Sequence, residues 1–82
     1  MKVEVGSIMA WKTPTPGFTV VFEVGVIYED WLIPQDGSLV GFYAYRDTEQ
    51  VLDKEIYSMF YTKDCSFAGG DLLRLYEGTK SI

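Results

Sequence analysis

Ser58 and Lys63 could form a serine–lysine nucleophile pair, and Cys65 beside Asp64 is the one thiol in the chain. Covalent acyl transfer would ask for a nucleophile, a base and a group that orients the base. The chain contains no histidine, which removes the Ser-His and Cys-His versions. Nothing around Ser58 and Lys63 specifies that they meet, and two solvated surface residues account for them. Cys65 lies in an acidic, polar setting that disfavours a thiolate. The sequence therefore points to a protein that is not an enzyme.

Metal chemistry has little more to work with. One cysteine and no histidine exclude the usual structural zinc sets. Oxygen-only sites could draw on Glu29, Asp30 and Asp36, or on Asp64 and Asp71, but neither set has the spacing of a calcium-binding loop. The stretch Phe67-Ala68-Gly69-Gly70-Asp71 lacks both phosphate-cradling glycine patterns, and Asp71 would repel a phosphate. We expect no metal and no cofactor.

Seven basic and twelve acidic side chains give a net charge of −5. A nucleic-acid binder needs a basic stripe. Tyr43 and Tyr45 could stack bases, but Arg46, Lys2 and Lys12 are too few cations to hold a phosphate backbone, so a nucleic-acid partner is not expected. The acidic balance also disfavours an anionic membrane surface, and no apolar run reaches the ~20 residues of a membrane span. The start MKVEVGSIMAW lacks a signal-peptide pattern, and a lone cysteine suits a reducing compartment. A cytoplasmic protein is expected.

What remains is the large apolar complement. At 82 residues the chain is expected to form one domain, 1–82. Aromatic residues make up 16%, too many for a disordered chain. Burial on folding is worth on the order of 120 kcal/mol, and ordering the chain at about 1.5 kcal/mol per residue costs a similar amount. Such a fold is marginal alone, and a second copy or a partner would stabilise it.

The elements that must position these groups read mainly as strands. Val3, Val5, Met9 and Trp11 share one parity before the breaker Thr13-Pro14-Thr15-Pro16-Gly17. Phe18, Val20, Phe22, Val24, Val26 and Tyr28 share one face of the clearest strand. Pro34-Gln35-Asp36-Gly37 reads as a turn with glycine in the left-handed conformation. A hairpin around it would set Leu32 against Val40 and Trp31 against Gly41. Leu52, Ile56, Met59 and Phe60 fall at helical spacing, and Asp47 with Gln50 suits a helix start. This predicts one helix near residues 48–56, with a strand over 55–62 as the competing reading. Leu72–Tyr76 reads as a closing strand.

The fold class is thus a small antiparallel twisted sheet or SH3-like barrel of about five strands with one short helix. The alternative is an α+β arrangement, one helix on a four-stranded sheet. If the Phe18 parity faces inward, the other side of the ribbon carries Ile27, Trp31, Ile33, Leu39, Tyr43 and Tyr45. That surface is too apolar for water alone, so it must be covered or used. A helix over it, or a bulge at Gly25 or Glu29-Asp30, would hide it instead. The reading that follows is an acidic protein-binding module. Trp31, Tyr43 and Tyr45 are its expected anchors, and Glu29 and Asp30 its steering charges. The expected partner is a protein with a basic or apolar surface. Such a chain suits a small phage or mobile-element accessory protein that inhibits a host protein. The alternatives are a self-associating subunit and a small-ligand-binding domain.

Overall fold

A computed structural model describes residues 2–43, 46–51 and 57–79. The fold is organised by one long strand. The run from Phe18 to Tyr28 is dominated by β-branched and aromatic residues, which favour extended backbone, and it forms the eleven-residue strand β2. β1 (Ile8–Lys12) pairs with its first half on one edge, from Thr19 to Glu23. On the other edge β2 serves two partners in succession. β4 (Val40–Tyr43) takes Phe18–Val21, and β3 (Trp31–Pro34) takes Val24–Tyr28. β5 (Arg46–Val51) adds outside β4. β6 (Phe60–Tyr61) adds outside β3, and β7 (Cys65–Phe67) outside β1.

All of these pairings are antiparallel, and the main path runs β5-β4-β2-β1-β7 with β3 and β6 branching from β2. The sheet is open, not a closed barrel, and a single helix, α1 (Gly70–Thr79), completes the described fold. The mainly β class with one short helix thus holds.

β2 can serve two partners because it bends. Its register with β3 shifts between Val24 and Val26, a bulge centred on Gly25. A Cβ at Gly25 would sit 2.9 Å from both the N and the Cα of Gln35, so glycine allows the β3–β4 loop to approach. Gln35 N–H reaches the Glu23 carbonyl at 2.8 Å.

Each face of the sheet carries a buried apolar cluster. One core holds Met9, Phe18, Val20, Phe22, Val24, Leu32, Leu39 and Phe60, with the Phe22 and Phe60 rings stacked at 4.6 Å. The other holds Ala10, Val21, Val40 and Phe42 under Tyr76 of α1. The Tyr76 hydroxyl donates to the Ser38 carbonyl at 2.8 Å, tying the helix to the turn between β3 and β4.

Several expectations are corrected by this arrangement. Residues 48–51 of the expected 48–56 helix belong instead to strand β5; 52–56 lie outside the described residues. The helix is instead at Gly70–Thr79, where a closing strand was expected. Leu72, Leu75 and Tyr76 lie three and four apart, which puts them on one helical face, and that face covers the Val21 side of the sheet. So a helix does hide one apolar face, but a different helix. Gly37 has the expected left-handed backbone, φ 77°, yet β3 and β4 do not pair across it, because both take β2 as neighbour. Gly41 accordingly faces Val20 and Gln50, not Trp31. The ring that lies over it is Phe18, and a Cβ at Gly41 would collide with that ring.

Candidate functional site

The β2–β3 hairpin extends beyond the main sheet. β1 last pairs at Glu23, and the tail adds Gly6 N–H to the Val24 carbonyl at 2.8 Å. From Val26 to Tyr28 the strand has β3 as its one neighbour among the described residues. The pairs Val26–Ile33 and Tyr28–Trp31 share a face, since both lie at even spacing along the two strands. Tyr61 of β6 pairs with Trp31 and extends that face. Its members are large and open: Tyr28 is 61% exposed, Val26 50% and Trp31 37%. On the opposite face Leu32 and Phe60 enter the core, while Ile27, paired with Leu32, stays 41% exposed.

The tip is a two-residue loop, Glu29-Asp30, between the paired Tyr28 and Trp31. The favoured two-residue loops need positive φ at their first central position, and Glu29 has φ 54°. It is the one non-glycine residue with positive φ among the described residues. A side chain in this conformation costs about 1 kcal/mol or more, so the tip accepts strain to keep a carboxylate there. Both acidic side chains are exposed. The loop is held from below: the Thr62 N–H and hydroxyl both donate to the Asp30 carbonyl, at 2.8 and 2.7 Å.

Behind Trp31 lies an open groove of about 480 Å³ lined by Trp11, Trp31, Tyr57, Met59, Phe60, Tyr61 and Asp64. The volume is in the range of small-molecule and side-chain sites. Its walls are rings. Trp31 meets Tyr61 edge-on at 5.3 Å and 68°, and Trp11 meets Tyr57 edge-on at 6.4 Å and 67°. Phe60 packs against Trp11 at 5.2 Å and lies nearly parallel to Tyr57. Asp64 supplies a carboxylate and forms no ion pair among the described residues. The short 3-10 turn Thr62–Asp64 places both Asp64 and the Thr62 donors.

The expected anchors do not gather in one place. Trp31, Glu29 and Asp30 stand together at the hairpin tip. Tyr43 is 40% exposed but pairs with Phe18, whose ring it meets at 4.8 Å. That is ten residues along β2 from Tyr28, up to about 30 Å of strand. Tyr43 instead borders a smaller hollow of about 210 Å³ with Thr19, Phe42, Leu72, Leu75 and Asp71. There the acid is paired, Asp71 with Arg74 at 3.3 Å. Leu39, expected on the open face, is buried in the core. Tyr45 lies outside the described residues. Reasoning from sequence missed Trp11, Tyr57, Met59, Tyr61 and Asp64. The one signal for the three rings among them was the surplus of aromatic side chains over what a small core needs.

Cys65 is not poised for chemistry. Burial, followed by the neighbouring Asp64 charge, pushes its thiol up to about 11. Its Sγ instead faces the Tyr61 carbonyl at 3.5 Å, within sulfur hydrogen-bond distance. Among the described residues no three His, Cys, Asp or Glu side chains converge as a metal would require, and no helix is long and apolar enough to cross a membrane. Compared with protein families, curated proteins and solved structures, the chain matches none.

Proposed function

We propose that this chain is a non-enzymatic protein-binding module that docks through the β2–β3 arm. The observation that carries the reading is the open apolar face of Val26, Tyr28 and Trp31 beside an aromatic groove. Large aromatic groups in such positions are the usual anchors of interfaces, combining area with a polar handle. Glu29 and Asp30 at the tip, and a net charge of −5, favour a partner with a basic rim around an apolar centre. Inhibition of a host protein by a small phage or mobile-element accessory protein is a role that this mode of action suits. Tyr43, at the far end of β2, contributes no anchor to this arm.

The test is comparative capture. The wild-type chain and a Tyr28→Ser/Trp31→Ser variant, matched in circular dichroism, are immobilised and exposed to lysate of the source cell. Docking through the arm requires a protein retained at stoichiometric level by the first and lost from the second. Identical retention by both would refute it. The same exposed face could instead join two copies of the chain, and sedimentation over a wide concentration range separates that outcome. A dimer that dissociates in the Tyr28→Ser/Trp31→Ser variant would replace the heterologous partner with a second copy.

A further inference from the structure

We propose that the groove behind Trp31 receives a methylated or quaternary ammonium group presented by the docking partner. The inference rests on the docking reading above and gives it a ligand chemistry. Three features of the groove point the same way.

First, the walls are faces and edges of aromatic rings meeting at steep angles, Trp31 with Tyr61 at 68° and Trp11 with Tyr57 at 67°. Five rings line the groove, Trp11, Trp31, Tyr57, Phe60 and Tyr61, with Tyr57 and Phe60 nearly parallel. A compact cation among several aromatic rings is attracted by their quadrupoles, with tryptophan the strongest contributor. A planar guanidinium carries five N–H donors, and Asp64 is the one carboxylate among the described residues of the groove to accept them, whereas a quaternary ammonium has no donor to satisfy. Second, the groove carries one carboxylate, Asp64, with no ion pair among the described residues. The acid at the smaller hollow is already matched by Arg74. Third, Glu29 and Asp30 stand next to Trp31 on an exposed tip, so the approach to the groove is negative as well. A neutral apolar ligand would draw on the rings but leave all three carboxylates without a purpose.

The chain reports on its own groove. Both of its tryptophans, Trp11 and Trp31, line it, so intrinsic fluorescence reads the site with no label. The experiment titrates the full chain with choline and with 3,3-dimethylbutan-1-ol, the neutral compound of the same shape. N-methylguanidinium is the planar control. Saturable quenching by choline is expected, with the neutral isostere weaker by on the order of tenfold. Asp64→Asn, an exposed substitution that leaves the rings in place, should weaken choline several-fold and leave the isostere unchanged. Equal binding of choline and the isostere would overturn the cationic assignment while leaving an apolar docking groove intact. Tighter binding of N-methylguanidinium would overturn the choice of ammonium. No saturable response to any probe would overturn the inference altogether. The Tyr28→Ser/Trp31→Ser capture experiment still decides the docking reading by itself in each of these cases.

Discussion

Thr62 clasps Asp30: the amide and the hydroxyl of one residue converge on a single carbonyl oxygen, at 2.8 and 2.7 Å. The two residues are 32 positions apart in sequence. The contact joins the tip of the β2–β3 arm to the 3-10 turn that carries Asp64, and so fixes Trp31 relative to the far wall of the groove. Thr62→Val removes the hydroxyl donor and keeps the shape. Because the bond is exposed, the expected cost is near the low end of a hydrogen bond, about 0.5 kcal/mol. The larger effect should be local. Amide exchange at Thr62 and Trp31 should accelerate more than exchange in the β1–β2 ladder; uniform acceleration would argue against a clasp.

The strained tip gives a prediction of opposite sign. Glu29 holds φ 54°, a conformation that glycine adopts without penalty. Glu29→Gly should raise stability by about 0.5–1 kcal/mol in chemical denaturation. The same change removes a steering charge, so association with a basic partner should slow, most visibly at low salt. A variant that is both less stable and equally fast would show that neither the strain nor the charge has the role assigned here.

Two glycines test how the sheet is bent and packed. A Cβ at Gly25 would meet Gln35 backbone atoms at 2.9 Å, and backbone cannot turn aside. At Gly41 the obstacle is the Phe18 ring, which can tilt at some cost in packing. Overpacking of this kind costs about 1–3 kcal/mol. Both alanine variants should therefore be destabilised in urea, Gly25→Ala more than Gly41→Ala.

Stability should fall at alkaline pH. Burial, then the Asp64 charge, raises the Cys65 thiol from 9.0 to about 11. Burial is also the main cause that raises the Tyr76 phenol above 10.0. In both cases the folded state favours the neutral form. Their contributions are complete below the unfolded-state values and disappear as pH climbs through the folded ones. For Cys65 that window is pH 9.0 to about 11. Cys65→Ser should flatten the decline over that range, and Tyr76→Phe should flatten it above pH 10.0. Tyr76→Phe should also cost about 1 kcal/mol at neutral pH by orphaning the buried Ser38 carbonyl contact. Melting curves across the pH range read both effects.

Some of this architecture was legible in the chain, and physical reasons separate what was from what was not. β2 announced itself because β-branched and aromatic residues run from Phe18 to Tyr28 with only Glu23 and Gly25 between them, and Gly37 marked a left-handed turn by its neighbours. The partner of each strand was not legible. A turn at Pro34–Gly37 invites a hairpin, and only the Gly25 bulge, seen in three dimensions, shows that β2 bends and takes β3 and β4 in turn. Leu72–Tyr76 satisfies a strand and a helix alike at that length. Arg46–Val51 is largely polar, as an edge strand can be, and so gave no period-two signal. At the site, Trp31 and the two acids at 29 and 30 were readable because they are adjacent. Trp11, Tyr57, Tyr61 and Asp64 come from other elements, and only the fold of β6 and the turn after it brings them there.

The most direct measurement compares Trp31→Ala with Tyr43→Ala in equilibrium binding to the captured partner. Both side chains are aromatic and similarly exposed, and they sit at opposite ends of β2. If recognition runs through the arm, Trp31→Ala should weaken binding by about thirtyfold or more, the signature of a hot spot near 2 kcal/mol, and Tyr43→Ala should change it little. Undiminished affinity in Trp31→Ala, or an equal loss in Tyr43→Ala, would contradict the assignment of the arm as the docking surface.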